Sequence, residues 1–96
     1  MILTVLSALA EPTRLEAMYL LKDGREHCVC ELMQALGATQ SRMSRHMQVL
    51  RQAGLVSDWR DAQWVRYRRN PDLAHEIAAV LDAVLAVTPT QERQVA

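Results

Sequence analysis

Residues 29–52 read VCELMQALGATQSRMSRHMQVLRQ, with apolar positions at helical spacing on both sides of Gly37. The apolar positions of the first half are Val29, Leu32, Met33 and Leu36, and those of the second half are Met43, Met47 and Leu50. Gly37 is suited to end one helix, and Thr39 is suited to cap the next one by accepting a backbone N–H. The stretch therefore predicts a helix, a four-residue turn and a second helix from about Gln40 to Gln52.

Polar side chains occupy the remaining surface of that second helix. The candidates for contact with DNA are Gln40, Ser41, Arg42, Ser44, Arg45 and His46. In a helix-turn-helix the second helix enters the major groove, where hydroxyl, amide and guanidinium groups meet base edges and phosphates. Periodicity alone leaves an ordinary solvent-exposed helix face as the alternative.

An arginine-rich β-hairpin is predicted directly downstream. Two segments rich in Val, Trp and Tyr, Leu55 to Arg60 and Gln63 to Arg68, are separated by Asp61-Ala62. The side chains of this hairpin, or wing, expected to contact the DNA backbone are those of Arg60, Arg66 and Arg68. Its aromatic residues Trp64 and Tyr67 are expected to pack against the protein rather than to stack on bases.

Charge is distributed unevenly along a chain that is neutral overall. Between Gln40 and Arg69 there are seven arginines and two aspartates, a net charge of +5, so the rest of the 96 residues carries −5. A cluster of one sign is typical of a surface that binds phosphate, whereas a merely solvated surface mixes the two signs. The charge pattern therefore favours binding to double-stranded DNA.

Composition indicates one mainly helical domain. Half of the residues are apolar, but only four are aromatic and none is Phe, so aliphatic side chains and Met must form the core. We expect a single domain over residues 1–88 and a flexible tail over residues 89–96. The sequence has no run of about 18 apolar residues and no recognisable leader, and we therefore expect a cytoplasmic protein without a membrane segment.

Helices are also predicted at both ends of the domain. The apolar positions of the first helix are Ile2, Val5, Leu6 and Leu9. The second helix is predicted to begin at Glu11-Pro12 and to stop at Gly24, and its buried residues are Leu15, Met18 and Tyr19. The apolar positions of the last helix are Leu73, Ile77, Val80, Leu81, Val84 and Leu85. The apolar surface of the last helix, together with Ile2 and Leu3, is larger than a monomer of 96 residues can bury. We expect these terminal helices to pair in a homodimer whose twofold axis sets the recognition helices about 34 Å apart.

Three segments resemble the arsenical-resistance (ArsR-type) family of winged-helix repressors. Leu9 to Leu15 is similar to the start of that family's second helix, Glu26 to Leu32 to its metalloid-binding segment, and Gln40 to Met47 to its recognition helix. Gly54 to Val56 and Trp64 to Arg68 resemble its wing, so that the resemblance covers about residues 6–69. It implies a homodimer that occupies a symmetric operator and leaves it when an inducer binds.

Two positions depart from the family pattern. The tip of the hairpin lacks the usual glycine, and Met33 stands where arsenic sensors of this type commonly have a third cysteine. The second departure affects the inducer site, because trivalent arsenic is expected to take three sulfur ligands.

Cys28 and Cys30, the only cysteines of the chain, are the candidate inducer ligands. Thiolates favour thiophilic elements, and a helix N-terminus eases their deprotonation, so trivalent arsenic or antimony fits this pair. Residues two apart diverge by about 200° on a helix but point the same way in an extended segment. If both chelate one atom, the start of the third helix must be irregular or must unwind. His27, solvent or a small thiol would complete the site, and a mono-organic arsenical would need only the two thiols.

Several alternatives stay open at this point. The cysteines could instead be buried core residues, bind cadmium, lead or zinc, or act as a thiol-redox sensor, although zinc sites usually need four ligands. The domain could also be a winged-helix interaction module that never binds DNA. An enzyme is not expected, since His27 beside Cys28 is the only candidate dyad and no cofactor-binding motif occurs. His75 beside Glu76 is expected to be solvated.

Overall fold

The structure is a computed structural model that describes residues 1–87. The helices are α1 (Ile2–Leu9), α2 (Pro12–Leu20), α3 (Val29–Leu36), α4 (Gln40–Gln52) and α5 (His75–Ala86). The strands are β1 (His27–Cys28), β2 (Val56–Asp61) and β3 (Trp64–Arg69), and a 3-10 turn, Leu21–Asp23, follows α2. This order confirms the winged helix-turn-helix, while the tail expected over residues 89–96 lies outside the described residues.

The break between α1 and α2 forms at Glu11-Pro12, as predicted. The Glu11 carboxylate accepts the backbone N–H of Arg14 at 2.8 Å, which caps α2, and Pro12 occupies its first turn, where a missing N–H costs nothing. The buried side of α2 differs slightly from the predicted stripe. Ala17 and Met18 are fully buried and Glu16 nearly so, whereas Leu15 and Tyr19 are half-buried at the edge of the core.

The helix-turn-helix has the predicted helices and a shorter turn. Gly37 ends α3 with a φ of 65°, and the Thr39 hydroxyl caps α4 by accepting the backbone N–H of Arg42 at 3.3 Å. The second helix begins at Gln40 as predicted, and since α3 ends at Leu36 the turn between them has three residues rather than the four predicted. The buried side chains of α4 are Met43, Met47 and Leu50, as predicted.

The sheet has three antiparallel strands in the order β1-β3-β2. Both hairpin strands begin and end one residue later than predicted. Leu55, the predicted start of the first strand, donates its backbone N–H to the carbonyl of Leu50 at 3.0 Å and so lies in the turn that follows α4. The two-residue β1 was not predicted, since two residues are too few to show an alternating pattern. Its register pairs His27 with Tyr67 and Cys28 with Arg66.

A left-handed residue at the hairpin tip provides a test of the fold. Ala62 has a φ of 58°, a conformation that costs a residue with a Cβ about 1–2 kcal/mol. Ala62→Gly is therefore expected to raise the free energy of unfolding by about 0.5–1 kcal/mol in urea denaturation, after the larger entropy of unfolded glycine is subtracted. Gly37→Ala, at a φ of 65°, is the reverse control and should lower it. A less stable Ala62→Gly variant would contradict this assignment of strain.

The terminal helices complete the core and leave apolar surface outside it. Leu81 and Leu85 of α5 are buried, and Ile77, Val80 and Val84 are half-buried, whereas Leu73 precedes the helix. On α1, Val5, Ala8 and Leu9 are buried, so the predicted single face is divided: Ile2 and Leu6 are each 43% exposed and Leu3 is 76% exposed. Across residues 1–87, no helix is long and apolar enough to cross a membrane.

Candidate nucleic-acid interface and cysteine pair

The side of α4 that points away from the core is polar and cationic. At 100° per residue, the buried Met43, Met47 and Leu50 lie on one side of the helix. The exposed residues opposite them, called here the outer face of α4, are Ser41, Arg42, Arg45, Gln48, Val49 and Gln52. Gln40 is also exposed, in the first turn of the helix. Arg42 and Arg45 thus stand about one turn apart, and among residues 1–87 neither forms an ion pair with a carboxylate.

Two of the predicted DNA-contacting residues of α4 lie away from the outer face. Ser44 is half-buried, and the side chain of His46 is only 18% exposed because it faces α2. His46 Nδ1 lies 3.3 Å from Nη1 of Arg14 and 3.8 Å from a carboxylate oxygen of Glu11. Sequence reasoning did not identify Arg14, since nothing local to residues 40–52 indicates which α2 side chain meets them.

The hairpin presents its three candidate arginines differently. Arg60 and Arg68 are exposed, and the Arg68 guanidinium lies 5.8 Å from the centre of the Trp59 ring. The side chain of Arg66 is 32% exposed and is held by Asp61 at 3.0 Å and Glu26 at 3.7 Å. The Asp61 hydrogen bond raises the pKa of Arg66, so Arg66 stays cationic, and its charge is balanced by the Asp61 and Glu26 carboxylates. Arg60 and Arg68 are the arginines of the wing that remain available to phosphate.

The aromatic residues of the hairpin divide between its two faces. Tyr67 is 5% exposed and packs in the core as expected, and its burial raises the pKa of its hydroxyl. Trp64, which was also expected to pack, is 39% exposed, and Trp59 is 36% exposed. The reason is the strand alternation: the observed register puts both indoles on the face opposite Tyr67.

The two cysteines lie on either side of a strand-to-helix boundary. Cys28 ends β1 with an extended backbone and caps α3, whereas Cys30 lies in the first helical turn. Cys28 is buried and Cys30 is exposed, and no disulfide joins them. The backbone N–H of Cys30 donates to Sγ of Cys28 at 3.3 Å, and the Glu31 carboxylate accepts the backbone N–H of Cys28 at 3.0 Å. The pair therefore lies at the N-terminal cap of α3. There the two side chains are not held to the separation of about 200° that residues two apart have within a regular helix.

Charged groups surround this pair without adding a third ligand. His27 lies 3.2 Å from Asp23 through Nε2 and 3.5 Å from Glu31 through Nδ1, so both of its nitrogens face carboxylates. The Arg25 backbone N–H and His27 lower the pKa of Asp23. Within residues 1–87 no group of three or more His, Cys, Asp or Glu side chains is arranged to hold a metal ion. Two sulfurs are too few for a structural zinc site, which takes four ligands, whereas thiolates are the ligands that thiophilic elements prefer.

The reactivity of Cys30 should depend steeply on pH. Its hydrogen bond with the Cys28 side chain raises the pKa of the Cys30 thiol above its ordinary value of 9.0, because the protonated thiol makes that bond. We expect the rate of alkylation by iodoacetamide to rise with pH and to reach half of its maximum above pH 9.0, with Cys30 modified before the buried Cys28. In Cys28→Ser the midpoint should fall. A midpoint that does not respond to that substitution would show that the two thiols do not interact.

The chain is similar in sequence to a family of bacterial regulatory proteins and to individual regulators. The family described as "Bacterial regulatory protein, arsR family" matches residues 11–58. Over 81 residues the chain is 42% identical to "Arsenic resistance transcriptional regulator ArsR2" of Pseudomonas putida, covering 84% of this chain and 70% of that protein. It is 40% identical over 74 residues to "Arsenical resistance operon repressor" of Escherichia coli, covering 77% of this chain and 63% of that protein. The chain thus spans about two thirds of the length of these relatives.

A solved structure extends the likeness to the whole fold. The solution structure of a homodimeric winged helix-turn-helix DNA-binding domain from Mycobacterium bovis, described as a possible ArsR-family transcriptional regulator, superposes with a TM-score of 0.74. It is 29% identical in sequence, and the match covers 90% of this chain and 76% of that one.

Proposed function

This chain belongs to the arsR family of bacterial regulatory proteins, and we propose that it is a repressor which releases operator DNA when a trivalent metalloid binds Cys28 and Cys30. The observation that carries the proposal is the position of Cys28, whose sulfur caps the first helix of the helix-turn-helix. Trivalent arsenic is the leading inducer, with antimony and mono-organic arsenicals in the same class. The proposed activity is binding and release of DNA in the cytoplasm, with no catalytic step.

The proposed DNA contacts come from α4 and the wing. Gln40, Ser41, Arg42 and Arg45 lie in the N-terminal half of α4, the part of a recognition helix that contacts base edges. Ser44 lies beside them, half-buried. Exposed Arg60 and Arg68 on the wing would bind phosphates next to the groove, while Arg66, held by two carboxylates, would support the wing.

Coupling between the two sites follows from what the Cys28 sulfur already contacts. For one atom to bind both sulfurs, the buried Cys28 sulfur, which accepts the Cys30 N–H at the N-cap of α3, and the exposed Cys30 sulfur in the first turn would have to point at the same atom. The N-terminal turn of α3 then has to change, and α3 packs against α4 while β1 pairs with β3 of the wing. Inducer binding would therefore shift both DNA-binding elements together.

A homodimer would supply the twofold symmetry that a symmetric operator needs. The relative from Mycobacterium bovis is described as homodimeric. In this chain Ile2, Leu3 and Leu6 form an exposed apolar patch on α1, and exposed patches of this kind commonly mark association surfaces. We propose that this patch and α5 pack against the same elements of a second copy.

Leu3→Glu is expected to weaken this dimer. Placing a carboxylate in the apolar patch should raise the dissociation constant at least about 30-fold, since it removes a Leu side chain that the proposed dimer would bury and leaves an unpaired charge in its place. Sedimentation equilibrium at micromolar concentration measures the change. Thr4→Glu is the matched control, because Thr4 is exposed on the same helix but about 100° away from Leu3. Equal dissociation constants for the two variants would place the interface elsewhere.

The proposed function is tested by fluorescence anisotropy on labelled DNA from upstream of the chain's own gene. We expect a complex that weakens as salt is added, since phosphate contacts release counterions, and that dissociates on addition of arsenite but not of zinc or cadmium. A complex that ignores arsenite but responds to a thiol oxidant would instead indicate a redox sensor. The absence of any complex at low salt would contradict the DNA-binding role and indicate an interaction module.

A further inference from the structure

Arg14 connects three helices through one guanidinium group. Its Nε donates to the carbonyl of Ala8 at 2.7 Å and its Nη2 donates to that of Ser7 at 3.4 Å, both near the C-terminal end of α1. Its Nη1 lies 3.3 Å from Nδ1 of His46 on α4. Its own backbone is fixed at the start of α2 by the Glu11 cap at 2.8 Å. The planar guanidinium thus joins the first turn of α2 to the end of α1 and to the middle of α4.

The direction of the contact with His46 is determined by chemistry. A guanidinium group can only donate hydrogen bonds, so a hydrogen bond from Arg14 requires Nδ1 of His46 to accept and the ring proton to be on Nε2, whereas an interaction with the Glu11 carboxylate, 3.8 Å from the same nitrogen, would require Nδ1–H. The side chain is 18% exposed and its accepting nitrogen is occupied within the chain. His46 therefore has little surface left for DNA, although Arg42 and Arg45 stand one turn and one residue away from it.

We propose that Arg14 is a positioning residue for the DNA-binding surface, which fixes the orientation of α4 relative to α1 by holding His46. This inference rests on the proposed DNA-binding function and adds residues outside the interface to it. Because α1 carries the proposed dimer patch, the contact relates the dimer axis to the direction of Arg42 and Arg45. Small errors in such an orientation are costly, since the two recognition helices of a dimer must match two half-sites at once.

The test uses two substitutions of His46 that differ only in where they place an acceptor. His46→Asn puts an amide oxygen near the position of Nδ1, whereas His46→Gln puts it near that of Nε2. We expect His46→Asn to bind the labelled upstream DNA within about 3-fold of the unmodified chain, and His46→Gln to bind about 10-fold more weakly, the size of one lost hydrogen bond. Arg14→Lys should lose about as much as His46→Gln, because an ammonium cannot reach three acceptors in one plane.

A second readout separates positioning from direct contact. We expect the slope of log affinity against log salt to be unchanged in all of these variants, and the double variant Arg14→Lys with His46→Gln to be no weaker than either single variant. A slope reduced by about 1 in both His46 variants would mean that His46 binds phosphate itself and would overturn the proposal. Equal affinities of all variants would overturn it as well. Circular dichroism and thermal unfolding establish that each variant is folded at the temperature of the assay.

Failure of this inference can be told apart from failure of the proposed function. If the unmodified chain binds no DNA at low salt, the DNA-binding role fails. The contact itself is still decided by nitrogen NMR of the imidazole rings. An Nε2–H tautomer of His46 with an unprotonated, hydrogen-bonded Nδ1, altered in Arg14→Lys, supports the contact, and an Nδ1–H tautomer overturns it.

Discussion

Replacing Cys28 by serine is expected to abolish the response to arsenite while leaving the fold and the DNA affinity intact. Serine is among the best residues at a helix N-cap, and its hydroxyl can accept the Cys30 N–H as the sulfur does. With Glu31 three residues later, the variant keeps both halves of the capping box, so the free energy of unfolding should change by less than about 1 kcal/mol. The thiolate, however, is gone.

The expected loss of response is large. Removing a partner that merely orients a ligand costs about 10–100-fold in metal affinity, so removing one of two ligands should raise the arsenite concentration for half-release by more than about 100-fold. Anisotropy titrations of the unmodified and Cys28→Ser proteins on the same DNA measure the difference. Cys30→Ser should lose the response equally.

Cys28→Ala separates the capping role of the sulfur from its proposed inducer role. Alanine cannot accept the Cys30 N–H, so this variant should unfold more easily than Cys28→Ser, by about 1 kcal/mol in urea. Its arsenite response should be lost to the same degree. If Cys28→Ser instead loses DNA binding, the cysteine is needed for the structure of the DNA-binding unit, and if it still responds to arsenite, the inducer site lies elsewhere.

The second large effect is expected from the cations of the outer face of α4. Arg42→Ala and Arg45→Ala should each weaken binding to upstream DNA by about 10- to 100-fold, the range measured for arginines that contact base edges. The salt slope assigns each role: a phosphate contact reduces it by about 1 when removed and weakens binding to all sequences alike, whereas a base contact mainly relaxes specificity. Parallel titrations on upstream and scrambled DNA measure both quantities.

Arg51→Ala is the matched control on the same helix. Arg51 lies about 180° around α4 from Arg42, and its Nε donates to Asp58 of β2 at 2.8 Å. The variant removes one positive charge from α4 without touching the outer face, so its DNA affinity should change by less than about 3-fold, through long-range electrostatics alone. Equal losses in Arg42→Ala and Arg51→Ala would mean that net charge, and not the outer face, determines binding.

Most of the helical framework could be predicted from the sequence because its signals are local. The bounds of α4 follow from Thr39, which caps it, and from apolar residues at a spacing of three and four. Gly37 is recognisable as a helix end because a φ of 65° is readily adopted only by residues such as glycine. The Arg-rich hairpin was likewise evident from its composition, although its strands began one residue later than predicted. The two cysteines were identified as a pair from their spacing.

Only the tertiary structure decided the contacts between residues that lie far apart in the chain. The register of β1 with β3 brings Cys28 beside Arg66, and the packing of α2 on α4 turns His46 toward Arg14. The same alternation along β3 that buries Tyr67 exposes Trp64. The first two relations have no local signal, because each depends on which surfaces meet once the apolar faces are buried together; for Trp64 and Tyr67 the spacing along the strand indicates opposite faces, and packing decides which face is buried. The sequence by itself determined the helices and the chemical groups of the site, since hydrogen bonds and apolar spacing act within a few residues; the direction in which those groups point was determined by long-range packing.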